Sequence, residues 1–360
     1  MKRMLLSLLF PTLAFADITA TNWSVLVFHA CEQVMDGHEP DFSQEVSHRT
    51  LLLKEIHPPV PTGIYEGYSK PRILWGTSGT SRWLRGRVKK HHPNGIITFN
   101  KKQNSIIVAF RGTKEFMENV NNFNAGITGS ESLRSVGFGG KLHAGYVNLF
   151  ESLVGELEQE LLEIIDDTGI TGPILVTGHS LGGSLATIAA AYLSHHPDIA
   201  NPVRLVSFGS PYVGYEDFAG WAVEGMEYAV AYIRETDLAP SFVADFVGTR
   251  LSWEEGGLPD REEQYGKRSY VGSKVILPSY GASHVNFPKA HSMALYRQAV
   301  FERAGLAHYP LYNVIWSWPF EDEKVIGDEE VTGFDIDPRF FSYQQALPYL
   351  LRNFFHRVDE

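Results

Sequence analysis

The sequence predicts an α/β fold with a mainly parallel central sheet flanked by helices. From Ser105 onward, short β-branched runs alternate with helical stretches, the pattern of βαβ units. One strand-to-helix junction carries Gly178-His179-Ser180-Leu181-Gly182, a G-x-S-x-G in the context where that spacing has a mechanical meaning. The chain has 360 residues, 44% of them hydrophobic and 20% charged, enough to bury a sizeable core within one enlarged domain.

At the N-terminus, Lys2 and Arg3 precede an apolar run from Met4 to Phe15 that closes on Ala14-Phe15-Ala16. That order fits a secretory signal, so residues 1–16 are expected to be a cleaved signal peptide and the product to be secreted and extracellular. A buried N-terminal helix or strand is the alternative. The run is shorter than the roughly 20 residues of a membrane span, so no integral membrane segment is expected. Asn22-Trp23-Ser24 then reads as a glycosylation sequon. Residues 17–360 read as a single domain, in which a short helix around Trp23 to Gln33 is the one periodic feature before about Gly95.

Ser105-Ile-Ile-Val-Ala-Phe110 reads as a buried strand. Tyr146, Leu149, Phe150, Leu153, Leu157, Leu161 and Ile164 recur at three- and four-residue steps and predict one strong amphipathic helix. Further strands are expected at Ile174 to Thr177, Val203 to Phe208 and Tyr228 to Ile233, with a helix from about Gly183 to Ser194. Ser292 to Phe301 is amphipathic, and Ser292 is placed to cap it. From about 305 to 360 an aromatic, acidic extension shows no chemistry.

Charge narrows the partners. The net charge of −11 falls to −13 when Lys2 and Arg3 are removed, which argues against nucleic acid and disfavours strongly anionic surfaces. The single cysteine, Cys31, makes an internal disulfide impossible and reads as a small buried apolar residue. His91-His92 and His195-His196 lack a second ligand cluster at a recognised spacing, so no metal and no cofactor is expected. The second pair reads as a helix end.

The chemistry centres on Ser180. A sharp strand-to-helix turn lifts its Oγ above the sheet, and the N–H of Leu181 at the helix start can stabilise an oxyanion. A nucleophilic serine needs a base and a carboxylate to orient it. Asp237, in Arg234-Glu-Thr-Asp-Leu-Ala-Pro240, follows the last strand, where such sheets present functional groups. Of the four later histidines, His284, His291, His308 and His356, the loop residue His291 precedes a helix. Spacing alone leaves His284 open.

These residues resemble the fungal class 3 lipases, a family of secreted triacylglycerol lipases with an α/β-hydrolase fold that includes feruloyl esterases and is related to plant phospholipases. The blocks are Val108-Ala-Phe-Arg-Gly-Thr113, His143-Ala-Gly-Tyr146, Thr177-Gly-His-Ser-Leu-Gly-Gly183 and Phe208-Gly-Ser-Pro211, spread over a core of about 105–300. The resemblance implies Ser180 as nucleophile, Asp237 as orienting acid and His291, through His291-x-x-x-x-Tyr296, as base. It implies Thr113 and Leu181 as the oxyanion hole. It also implies a lid helix after Thr113, whose apolar stripe would be Phe116, Val120 and Phe123. His143 is then read as packing. Three positions depart from the family pattern: Asn122 near a usual Asp, Tyr212 for an Arg, and Ala239 for a Val. The expected function is a triacylglycerol lipase that works through an acyl-enzyme on lipid or other esters at an oil–water interface. A phospholipase A1 or feruloyl-type esterase is the first alternative, and a catalytically silent lipase-like binding protein the second.

Overall fold

The computed structural model describes residues 2–42, 49–50, 55–56, 65–79, 89–112, 126–237, 239–240, 267–278 and 290–304. Seven strands make one sheet: β1 (Arg72–Gly79), β2 (Lys89–Asn100), β3 (Ser105–Phe110), β4 (Ile174–His179), β5 (Val203–Phe208), β6 (Tyr228–Arg234) and β7 (Ser273–Leu277). Their spatial order is β7-β6-β5-β4-β3-β2-β1. β3 to β7 pair in parallel, while β2 runs antiparallel to both β3 and β1. The expected mainly parallel sheet is present, with its four sequence-read strands in place.

Helices cover both faces: α1 (Lys2–Met35), α2 (Glu131–Ser135), α3 (Ala144–Glu151), α4 (Val154–Thr168), α5 (Leu181–Ser194), α6 (Glu216–Glu224) and α7 (Met293–Arg303). Because side chains alternate across a strand, β3 sends Ile106, Val108 and Phe110 into the core under α3 to α6. It sends Ile107 and Ala109 into the core under α1 and α7. Burial on both faces is why these strands read as unbroken apolar runs rather than alternating ones. Each fully buried Leu, Ile or Val contributes about 1.5–3 kcal/mol.

The structure corrects four expectations. The segment before Gly95 supplies β1 and the first half of β2 to the seven-stranded sheet, where nothing beyond a short helix was expected. His91-His92-Pro93-Asn94 hides β2 from a pattern search, and the pairing register shifts at Leu74/Trp75, opposite Pro93. The single helix expected through Ile164 is two, α3 and α4. At the break, Ser152 Oγ donates to Leu149 O at 2.7 Å and accepts from Thr77 N at 2.8 Å, so a side chain tied to β1 competes with the helical ladder. The apolar spacing runs through the break unaltered, which is why periodicity could not show it.

The sequon reading also fails. Asn22 is 2% exposed and Trp23 fully buried in α1, so the folded chain has no room for a glycan there. Ser292 does occupy the cap position of α7 but makes no side-chain capping bond. Two smaller readings hold: His195 caps the C-terminus of α5, and Cys31 is buried, its thiol pushed up to about 12 by burial.

α1 continues through the expected cleavage position, and both Ala16 and Asp17 are buried. Asp17 accepts hydrogen bonds from Tyr232 Oη at 2.7 Å and Tyr228 Oη at 3.2 Å on β6. Burial raises its carboxyl above the usual range, partly opposed by those two bonds. Among the described residues, no helix is long and apolar enough to cross a membrane.

Candidate active site

The C-terminal ends of β4, β5 and β6 bring the expected residues to one edge of the sheet. β4 ends at His179, and Ser180 turns the chain directly into α5 with φ 58° and ψ −127°. A non-glycine residue at positive φ is strained, and here the surroundings over-determine it. Ser180 N donates to Phe208 O at 2.9 Å, and Gly183 N to Ser180 O at 2.9 Å. The flanking glycines are obligatory, because a Cβ on Gly178 would collide with Gly182 O and one on Gly182 with Phe110 O. Ser180 is 4% exposed, and its Oγ has no hydrogen-bond partner among the described residues. Leu181 begins α5, so its N–H belongs to the first turn, which lacks intrahelical acceptors.

His291 and Asp237 meet as expected. His291 Nδ1 lies 2.8 Å from Asp237 Oδ2, and since an ionised carboxylate only accepts, the imidazole carries its Nδ1 proton toward the acid. Asp237 has a fully buried side chain, and its charge is met from several directions. Tyr296 Oη donates to the same Oδ2 at 2.6 Å, and Ala239 N donates to Oδ1 at 2.9 Å. The turn after β6 therefore holds the carboxylate through its own backbone. Tyr296 Oη accepts in turn from Arg234 N at 3.0 Å. Burial beside Asp237 pushes the Tyr296 hydroxyl well above its ordinary range.

Four neighbours carry roles that pattern reading missed. Gly209 sits at φ 55°, and a Cβ there would lie 3.1 Å from each of Asp237 Oδ2, His291 Cε1 and Tyr296 Oη. Tyr296 marked a sequence block without a role. His179 Nε2 donates to His291 O at 2.7 Å, with the two rings 4.6 Å apart. Buried Arg234 donates through Nη1 to Ala290 O at 3.0 Å, and burial lowers its guanidinium from the usual value. His179, Gly209 and Tyr296 stood inside blocks shared with the resembling family but without a role, and Arg234 was marked only by its nearness in the chain to Asp237. Thr113, Phe116, Val120, Phe123, Asn122 and the rival His284 lie outside the described residues. Gly112 is described, and a Cβ there would fall 3.5 Å from Ser180 Cβ, so the chain leading to Thr113 passes beside the serine.

This geometry suits acyl transfer: a serine on a strained turn at a helix start, and a histidine oriented by a buried carboxylate. Among known proteins, the profile of the class 3 lipases matches residues 107–246. Residues 107–246 are similar to the class 3 lipases. A secreted mono- and diacylglycerol lipase of Fusarium solani is 30% identical over 173 residues, 46% of this chain and 49% of that protein. The Rhizopus niveus lipase is 30% identical over 128 residues, covering 35% and 31%. A chloroplastic phospholipase A(1) of Arabidopsis thaliana is 30% identical over 125 residues, covering 31% and 28%. The chain thus spans about half or less of the length of these curated relatives. Among solved structures, lipase II from Rhizopus niveus aligns at 19% identity with a TM-score of 0.47, over 66% of this chain and 77% of that one.

Within the class 3 lipase pattern, the Tyr212 departure has a structural counterpart. Tyr212 packs against Tyr270 with ring centroids 4.3 Å apart, and the guanidinium of Arg268 lies 5.9 Å over the Tyr212 ring.

Proposed function

We propose that this protein is a secreted serine hydrolase of lipid esters, most specifically a triacylglycerol lipase working through an acyl-enzyme. The observation that carries the reading is Ser180, strained at φ 58° at the end of β4, together with a His291 oriented by buried Asp237 at 2.8 Å at the same edge of the sheet. In this reading Ser180 Oγ attacks the ester carbonyl carbon while His291 Nε2 takes the hydroxyl proton. The N–H groups of Leu181 and Thr113 hold the negative oxygen of the tetrahedral intermediate. Its collapse breaks the bond to the alcohol oxygen, which receives the proton from His291. Water, deprotonated by His291, then attacks the acyl-serine, releasing the fatty acid and restoring Ser180. Asp237 keeps the His291 tautomer and stabilises the transient imidazolium.

The apolar stripe of Phe116, Val120 and Phe123 follows Thr113, which supports a covering lid that turns its apolar face to oil. In this reading residues 1–16 are a signal peptide, 17–360 a single lipase-like domain with its family core at about 105–300, and about 305–360 an extension. The secreted Fusarium relative favours export.

Activity across emulsified triolein, short soluble esters, phosphatidylcholine and methyl ferulate tests the substrate. Cleavage of feruloyl esters without triolein would overturn the lipase choice. The Arabidopsis phospholipase A(1) relative favours phosphatidylcholine as the second reading. Ser180→Ala should abolish hydrolysis, by at least about 10⁴-fold, as should blocking with a serine-directed phosphonate. Activity surviving either would remove Ser180 from the mechanism, and wild type inert on all four esters would leave the silent binding protein.

A further inference from the structure

The loop that presents His291 carries two consecutive backbone carbonyls, and buried side chains from two different strands hold them. Arg234, at the end of β6, holds Ala290 O at 3.0 Å. His179, the last residue of β4, holds His291 O at 2.7 Å. The side chain of His291 reaches Asp237, just beyond β6, while its main chain is fastened to the residue immediately before Ser180. Asp237 and Arg234 alone would fix His291 relative to β6, leaving its distance from the nucleophile to the relative placement of β4 and β6. The bond from His179 removes that freedom.

We propose that His179 is a positioning residue whose Nε2–H latches the main chain of His291 to the nucleophile turn. The requirement is for a donor at the Nε2 position. A carbonyl oxygen can only accept, so His179 must carry its proton on that nitrogen. The side chain is buried, 8% exposed, and its ring lies against that of His291, so the contact is packed as well as bonded. Displacing a base by about 1 Å from its productive place costs on the order of 100-fold in rate, so a latch of one hydrogen bond is enough to matter. This inference rests on the assignment of Ser180 and His291 as nucleophile and base.

Three replacements separate donor, reach and bulk. Gln places its amide nitrogen where His carries Nε2, Asn is polar but too short, and Leu fills space with no donor. Each variant is assayed on a short soluble ester, with rates divided by the concentration of serine that a phosphonate titrates, so that misfolded material does not count. His179→Gln should keep kcat within about 5-fold of wild type. His179→Asn and His179→Leu should lose about 30- to 100-fold in kcat, with KM changed less than about 3-fold. If the Leu variant fails to fold, the contrast between Asn and Gln decides. Equal loss in Gln and Asn, or wild-type kcat in Asn, would overturn the latch. A Ser180→Ala protein that retained activity would instead overturn the underlying assignment, whatever the His179 series showed.

Discussion

Gly209→Ala is the most informative single substitution, because one added methyl touches the whole charge arrangement at once. Its φ of 55° is left-handed, a conformation that costs a residue with a Cβ about 1–2 kcal/mol. The new carbon would also stand 3.1 Å from Asp237 Oδ2, His291 Cε1 and Tyr296 Oη. Ordinary contacts begin a few tenths of an ångström farther out, so all three must retreat or the backbone must shift. Overpacking of this kind costs about 1–3 kcal/mol, giving a total of about 2–5 kcal/mol. In a domain of this size that lowers Tm by roughly 3–7 °C. Asp237 is held by Tyr296 and the Ala239 backbone, so the retreat falls on the bond to His291. Stretching it by a few tenths of an ångström should lower kcat by about 5- to 30-fold. Thermal unfolding and turnover of a soluble ester per titratable serine measure the two effects. A variant that melts early yet turns over within twofold of wild type would refute the claim that Gly209 sets the spacing of acid and base.

Other outcomes follow from the second core. Asp17 has a raised carboxyl, so between the unfolded value near pH 4 and its higher folded value the native state binds more protons than the unfolded chain. Its contribution to stability is therefore fully present below about pH 4 and declines as pH rises through the folded value. The non-titrating Asp17→Asn should gain on wild type over that range in urea unfolding, and parallel stability curves would contradict this. Cys31, buried with its thiol pushed up to about 12, should resist a disulfide reagent in native protein and react fully on unfolding. Immediate native labelling would contradict its placement. Thr177→Val should destabilise by about 1–2 kcal/mol in the same urea titration, since it removes the hydroxyl that donates to Val206 O at 2.8 Å and meets Ser24 Oγ at 3.1 Å.

The centre of the sheet was legible because β3, β4, β5 and β6 are buried on both faces, which imposes a compositional signature on six or seven consecutive residues. β2 was not, since Pro93 and two histidines are tolerated where the strand runs past the end of β3 and pairs with β1 alone. Ser180 could be found because backbone sterics dictate its glycines at fixed offsets. Asp237 and His291 needed order along the chain and family resemblance, because their mutual position is made by three strands rather than by local spacing. His179 and Gly209 stood in quoted blocks, yet their roles, like that of Arg234, escaped. Their roles lie in contacts to main-chain atoms and in unfilled space, and neither leaves a residue-type pattern. The break between α3 and α4 escaped for a similar reason, being made by one serine and a neighbouring strand.

The placement of α1 has a consequence for how the chain reaches this state. Its inward face packs on strands that are synthesised much later: Asp17 bonds to Tyr232, 215 residues on, and Ser24 to Thr177, 153 residues on. Contacts of such separation must wait until the intervening chain exists, and they are slow to form because loop closure precedes any gain from burial. At the ribosome's pace of about 5–20 residues per second, Asp17 waits roughly ten seconds or more for its partner on β6. The first helix made therefore completes its contacts late, with the part that faces β4 and β6 open to chaperones and to its own neighbours until those strands exist.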